Sequence, residues 1–197
     1  VVFHGLAKFA LAHRDVAKVG LIGSVAAGRA VMQSAGASIK KLTLELGGKN
    51  PLIACEDAMP DEVAEGVVRG MNFRYANGQS CNSTSRVYLH DAIHDAALSA
   101  IVRRVQALKV GLPFEPDSEV GCLSSQAQFD KTITYIKLGL EGGARLAYGG
   151  KRPADPKLAH GFFVEPTVFA DVTDDMRIAR EEIFGPVVSI LRWSDES

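Results

Sequence analysis

The chain has 197 residues, 47% of them apolar, with 22 basic and 23 acidic side chains and a formal charge of −1. That is enough apolar material for one large domain, or one domain and part of another, and the near-neutral balance argues against nucleic acid or an anionic membrane as the main partner. No run of 18 apolar residues is present to span a bilayer, and Val1-Val2-Phe3-His4-Gly5 lacks the charged region and cleavage pattern of a signal peptide.

Helical and strand patterns alternate along the chain, which points to the α/β class. The patterns predict a helix near Gly5–Leu11, a strand over Lys18–Ile22, and a helix over Val25–Ala35 opened by Gly23-Ser24. Leu42–Leu46 alternates like a strand and stops at Gly47-Gly48; Pro51–Cys55 is a short apolar strand. Pro60 suits the first turn of a helix that carries Asp61 and Glu62 early and runs to Tyr75. A strand over Ser85–His90, a helix over Ala92–Leu108 and a helix over Ser125–Leu140, ended by Gly142-Gly143, follow. Arg145–Tyr148 and Phe162–Val168 are predicted strands, Asp174–Glu182 a short helix, and Pro186–Leu191 a final strand. Two glycines and a proline at Gly47-Gly48-Lys49-Asn50-Pro51 mark the one predicted domain crossing, dividing residues 1–47 from 48–197. The first residue is not Met and Trp193–Ser197 is no obvious terminus, so the chain is expected to be an internal piece of a longer protein.

Three cysteines, an odd and sparse count, do not form a secreted disulfide framework; a reducing compartment, the cytoplasm, is expected. None lies at metal-binding spacing, and His4, His13, His90, His94 and His160 are scattered, so no metal site is expected. Cys55, in an apolar run, and Cys122, after Gly121, read as buried, inert thiols. Cys81 follows Gly78-Gln79-Ser80 among polar residues, as a thiol held on a tight loop would. There a thiolate is a nucleophile if its surroundings stabilise it. Glu45 interrupts an apolar strand just before two glycines, where a carboxylate can take a proton from water; taken alone, a solvent-facing strand residue is the plainer alternative. Gly23-Ser24 after a strand and before a helix is a general anion site, a dinucleotide pyrophosphate among the candidates, although an ordinary strand-to-helix turn has the same pattern. Glu181 and Glu182 precede Phe184-Gly185-Pro186; a carboxylate there can accept both hydroxyls of a ribose, or simply end a helix.

In combination and in order, four strings resemble the aldehyde dehydrogenase superfamily: Leu44-Glu45-Leu46-Gly47-Gly48-Lys49-Asn50-Pro51, Gly78-Gln79-Ser80-Cys81, Phe163–Val168 and Glu181–Val187. The resemblance runs from His13 through Leu191. It implies the end of a Rossmann-type cofactor domain over 1–47, followed over 48–197 by most of an α/β catalytic domain, incomplete at its C-terminal end. By position, Cys81 is similar to the family's nucleophile, with its own N–H as one oxyanion donor, and Glu45 to the base that activates hydrolytic water. Gly23 and Ser24 match the pyrophosphate-binding helix start, Leu46 and Phe184 lie near the nicotinamide in the family, and Glu182 matches its ribose-binding glutamate. Gln128 and Lys131 match a further cofactor-contacting segment. The resemblance implies NAD or NADP as cofactor, an aldehyde as substrate, and a homodimer or homotetramer at full length.

Three departures stand out: Leu21-Ile22 where the family usually has Phe-Thr, Tyr75-Ala76-Asn77 before Gly78-Gln79, and Cys122 in place of a common proline. Acylating relatives that use coenzyme A often lack the glutamate, so Glu45 favours the hydrolytic branch. Phosphorylating or esterase-like relatives keep the cysteine without the full Glu45–Pro51 string. A non-enzymatic binding module is the remaining alternative, and the presence of both Cys81 and Glu45 weighs against it.

Overall fold

The structure is a computed structural model describing residues 9–195, so the predicted helix at Gly5–Leu11 lies partly outside the described residues. The chain divides into two compact units, Val1–Gly48 and Lys49–Ser197.

In the first unit, β1 (Lys18–Ile22) and β2 (Lys41–Glu45) pair in parallel, from Lys18 opposite Lys41 to Ile22 opposite Glu45. A parallel pair needs a crossover, and α1 (Val25–Gly36) supplies it. Ser24 caps that helix, its hydroxyl accepting the Ala27 N–H at 3.2 Å. The helix lies close over the chain after β2: a Cβ at Gly28 would come within 2.8 Å of the Leu46 side chain. The strand predicted to reach Leu46 stops at Glu45, whose carbonyl accepts the Gly23 N–H at 3.0 Å. The Lys40 ammonium donates to the carbonyls of His13 and Val16, tying the start of β2 to the segment before β1.

The second unit is built on five strands, β3 (Pro51–Ala54), β4 (Arg86–His90), β5 (Arg145–Tyr148), β6 (Thr167–Ala170) and β7 (Val187–Trp193). Their order is β3-β4-β7-β6-β5, with the first four parallel and β5 antiparallel at the edge. A parallel sheet is covered on both faces, and the strand residues alternate accordingly. Val87, Leu89, Val168, Ala170, Val188 and Ile190 join one core with α2 (Pro60–Gly70) and α4 (His94–Gln106). Phe169, Val187 and Leu191 join the other with α5 (Gln126–Glu141) and the short α6 (Arg177–Arg180). Central β7 has no exposed residue from Val187 to Leu191.

Three predicted elements differ, one of them the helix expected over Asp174–Glu182, which is confined to Arg177–Arg180. The helix expected to run from Pro60 to Tyr75 breaks after Gly70 and resumes as α3 (Phe73–Ala76), because Asn72 has φ +55°. The chain returning at Ser83 and Thr84 occupies the helix end: Thr84 N–H donates to Gly70 O at 2.9 Å and the Ser83 hydroxyl to Met71 O at 3.1 Å. The strand expected over Phe162–Val168 lies instead at Thr167–Ala170. Pro166 has no N–H for a ladder, so the buried Phe163 and Val164 precede the strand outside its ladder. No helix among the described residues is long and apolar enough to cross a membrane.

Candidate active site

The break after α2 positions Cys81. From Gly70 to Arg86 the chain leaves the helix, makes the α3 turn and returns to the sheet as β4. Asn72 and Asn77, the residues flanking α3, are both left-handed, at φ +55° and +51°, and Gly78 follows at +69°. Asparagine tolerates that region better than most side chains. Gly78 has no substitute on steric grounds either, since a Cβ there would lie 2.3 Å from the Gly185 carbonyl oxygen. That close approach brings the loop before Cys81 against the Phe184-Gly185-Pro186 corner.

Side chains hold this loop along its length. Arg74 pairs with Glu119 at 2.8 Å, the Asn77 amide donates to Gly121 O at 2.9 Å, and Gln79 Oε1 accepts the Ser124 N–H at 2.9 Å. Past the cysteine, Asn82 Oδ1 accepts from the Ser80 hydroxyl at 2.7 Å and from the Asn72 amide at 3.0 Å. Asn50 reaches over from the start of β3, its amide donating to Cys81 O at 2.7 Å and Ser83 O at 3.3 Å. The carbonyl of Cys81 is thereby fixed. Its thiol is exposed, and no acceptor among the described residues engages its N–H. A thiol presented on a rigid loop beside an uncommitted backbone donor can add to a carbonyl carbon and hold the resulting oxyanion.

Cys55 and Cys122 correct an expectation: both are exposed, not buried. Cys55 stands one residue past β3 at the turn into Glu56-Asp57, and Cys122 on the segment that braces Asn77 and Gln79. Exposure does not single out Cys81; its held loop does.

The glutamate pair separates into two roles. Arg177 grips Glu181 through two bonds of 2.9 Å and the Tyr135 hydroxyl donates to it at 2.6 Å. The Arg177 bond first and then the Tyr135 bond hold the Glu181 carboxyl at a pKa of about 2. Its acceptor capacity is spent within the fold. Glu182 lies within electrostatic reach of Lys49, whose Nζ is buried without a hydrogen-bond partner among the described residues. Burial first, then the Arg86 guanidinium, bring the Lys49 ammonium from its ordinary 10.5 down to about 8.

Phe184, at φ +59°, is half-buried, and Gln128 sets its segment by donating to the carbonyls of Ile183 and Phe184 at 2.9 and 2.7 Å. Lys131 lies over the Tyr135 ring at 5.8 Å and within electrostatic reach of Lys49. In the first unit, Glu45 ends β2 with its side chain exposed. Ser24 opens α1 with no acid in the first turn, which leaves the positive end of the helix uncompensated. Asn50 and Lys49 were not singled out by sequence reading. Both lie in the Glu45–Pro51 string, but a backbone clamp and a buried ammonium depend on partners remote in sequence.

The model of the Aldehyde dehydrogenase family matches residues 4–197. Aldehyde dehydrogenase tropH of Talaromyces stipitatus is 53% identical over 189 residues, covering 94% of this chain and 36% of that protein. Betaine aldehyde dehydrogenase of Brucella ovis is 49% identical over 184 residues, 93% of this chain and 37% of the relative. Among solved structures, the NAD+ complex of aldehyde dehydrogenase from Bacillus cereus superposes with a TM-score of 0.88 at 40% identity, over 94% of this chain and 37% of that one. A betaine aldehyde dehydrogenase from Staphylococcus aureus in complex with NAD+ superposes with a TM-score of 0.92 at 34% identity, over 97% and 37%. The chain thus spans a little over a third of the length of the relatives it matches.

Proposed function

We propose that this chain, which belongs to the aldehyde dehydrogenase family, carries the nucleophile and the general base of an NAD(P)-dependent enzyme that oxidises an aldehyde to a carboxylic acid. The observation that carries the reading is the Cys81 loop: an exposed thiol, a carbonyl clamped by Asn50 and an N–H left without an acceptor among the described residues.

The Cys81 thiolate adds to the aldehyde carbon, and the Cys81 N–H donates to the oxyanion that forms. The hydrogen on that carbon then leaves as hydride, with bound NAD or NADP supplying the acceptor, and a thioester to Cys81 remains. Glu45 takes a proton from water as the water attacks the thioester carbon, which releases the carboxylic acid and returns the thiolate.

The residues present fit a dinucleotide. Ser24 and the acid-free first turn of α1 suit a pyrophosphate, Glu182 suits the hydroxyls of a ribose, and Leu46 and Phe184 offer apolar surface to a nicotinamide. Within the second unit, Lys49 Nζ is buried without a hydrogen-bond partner among the described residues, within electrostatic reach of Glu182. Gln128 serves by holding the 183–184 carbonyls, and Lys131 by contributing positive charge nearby. Residues 1–47 then supply part of the cofactor domain and 48–197 catalytic machinery. A homodimer or homotetramer in the cytoplasm is the further expectation for the full-length protein.

The test is an aldehyde panel with NAD and NADP on the full-length protein, together with timed iodoacetamide labelling. Reduced cofactor should form, and Cys81 should be alkylated ahead of Cys55 and Cys122 although all three are exposed. Equal labelling of the three without reduced cofactor would favour a binding module.

Two substitutions test individual roles. Asn50→Ala removes both bonds from the amide to the loop and is expected to slow acylation by on the order of a hundredfold, because small displacements of a reacting group cost that much. Stopped-flow formation of reduced cofactor measures it; a rate within twofold of the unsubstituted protein means that the loop is held without Asn50. Glu182→Gln keeps the shape but loses a charged acceptor, a loss of about 1.5–3 kcal/mol in cofactor hold. Cofactor titration by fluorescence should show the weakening, and hydride transfer should slow even at saturation. An unchanged transfer rate would count against the role.

A further inference from the structure

We infer that Tyr135 is a positioning residue for the cofactor site: its bond to Glu181 completes a stripe along α5 that holds residues 181–185 in place, and with them Glu182 and Phe184. The inference rests on the reading of Glu182 and Phe184 as cofactor contacts.

Gln128, Thr132 and Tyr135 stand at i, i+4 and i+7 of α5, the spacing that puts side chains on one face of a helix. Each meets a different part of the segment that follows α6. At one end the Tyr135 hydroxyl donates to Glu181 Oε2 at 2.6 Å, and Arg177 reaches the same carboxylate through two bonds of 2.9 Å. The Arg177 guanidinium also lies over the Tyr135 ring at 5.8 Å, so the three side chains close on one another. In the middle the Gln128 amide donates to the carbonyls of Ile183 and Phe184. At the far end Thr132, its hydroxyl bonded to Gln128 O at 2.9 Å, packs on Gly185, where a Cβ would lie 2.6 Å from the Thr132 Oγ1. Glu182 is thus bounded on either side by a held residue: Glu181 through its carboxylate, and Ile183 through its carbonyl and its buried side chain.

The clamp on Glu181 fixes direction more than it adds stability. The Arg177–Glu181 pair has side chains 57% and 40% exposed, and such i,i+4 pairs contribute little to a fold. The helix ends at Arg180 and Glu181 is already extended, at φ −105° and ψ 141°, so the Tyr135 bond sets where the chain toward Glu182 begins. The two ends of the stripe serve different neighbours. Gly185, at the Thr132 end, abuts Gly78 and the loop before Cys81. Glu181, at the Tyr135 end, adjoins Glu182. Loss of the Tyr135 hydroxyl should therefore reach the cofactor and spare the nucleophile.

In the full-length protein, Tyr135→Phe removes one hydroxyl and keeps the ring under Arg177. Kd and KM for NAD(P)+ should rise together by roughly tenfold, the scale of one bond to a charged group. KM for the aldehyde, the rate of Cys81 alkylation by iodoacetamide without cofactor, and the denaturation midpoint should hold steady. Glu181→Ala removes the same anchor from the other side, and the double substitution should bind cofactor no more weakly than the worse single. Fluorescence titration, steady-state kinetics and timed alkylation read the set. A lowered midpoint with unchanged cofactor Kd makes Tyr135 structural and overturns the role, as do losses that simply add in the double. If Glu182→Gln weakens the cofactor and Tyr135→Phe does not, the positioning role is wrong while the reading of Glu182 stands. If Glu182→Gln changes nothing, that reading fails and the role of Tyr135 falls with it. Should Tyr135→Phe fail to fold, Glu181→Ala decides by the same split between cofactor affinity and Cys81 alkylation.

Discussion

Replacing Cys81 by serine in the full-length protein is expected to remove aldehyde oxidation, by on the order of 10⁴-fold or more, while cofactor binding persists. Losses of that size accompany removal of a covalent nucleophile elsewhere. Serine fits the loop: Cys81 is exposed, and the bond from Asn50 goes to its backbone carbonyl, which serine retains. The N–H proposed to serve the oxyanion is retained as well. What changes is the attacking group, because a hydroxyl is scarcely ionised at neutral pH and has no base within the Cys81 loop to activate it. The expected result is therefore a folded protein with an unchanged denaturation midpoint, unchanged cofactor titration, and neither a burst nor a steady rate of reduced cofactor. Cys55→Ser and Cys122→Ser are the controls, since both of these cysteines are exposed as well. Turnover near normal in Cys81→Ser would remove Cys81 from the mechanism, and a comparable loss in either control would move the nucleophile there.

The elements that sequence reading located are those whose signal is local. Pro186–Leu191 reads as a strand, observed as β7 over Val187–Trp193, because an apolar run follows the Gly185-Pro186 corner, and α2 reads as a helix from Pro60 with Asp61 and Glu62 in its first turn. Which strands flank β7 is not local: Val87 meets Ile190 and Thr167 meets Val187 across long stretches of chain. The break at Asn72 was hidden because Met71 and Phe73, both buried, continue an apolar pattern through it. Only the return of Ser83 and Thr84 onto the helix end explains it, and that is a tertiary contact. The same distinction runs through the site. Cys81 was visible from its polar, turn-prone neighbours and from the string around it. Asn50 and Lys49 were not, because an amide bonding Cys81 O and an ammonium buried under other elements depend on partners remote in sequence. The exposure of Cys55 was misread because an apolar run predicts a buried strand, whereas the strand ends one residue before it.

Glu45→Gln separates the two halves of the proposed reaction. Glutamine matches glutamate in size and can still accept and donate hydrogen bonds, but it cannot take a proton from water. Glu45 is the last residue of β2, its carbonyl accepts the Gly23 N–H, and its side chain is exposed, so the substitution leaves the strand pairing with Ile22 intact. Acylation requires only the Cys81 thiolate and the hydride acceptor, and should proceed. Deacylation requires an activated water, and a positioned general base contributes about 10²–10⁴-fold to such a step. Mixing Glu45→Gln with aldehyde and cofactor should thus give a rapid burst of reduced cofactor, close to one equivalent per active site, followed by a steady rate depressed by that factor. The thioester should accumulate on Cys81 and be trappable by denaturation and mass measurement. Hydroxylamine, a nucleophile that needs no base at neutral pH, should restore turnover. If burst and steady rate fall together, Glu45 acts before the thioester forms, on the thiol itself, and the water-activating role passes to another residue. If neither falls, Glu45 is the solvent-facing strand residue that its isolated pattern allows, and the hydrolytic assignment loses its base.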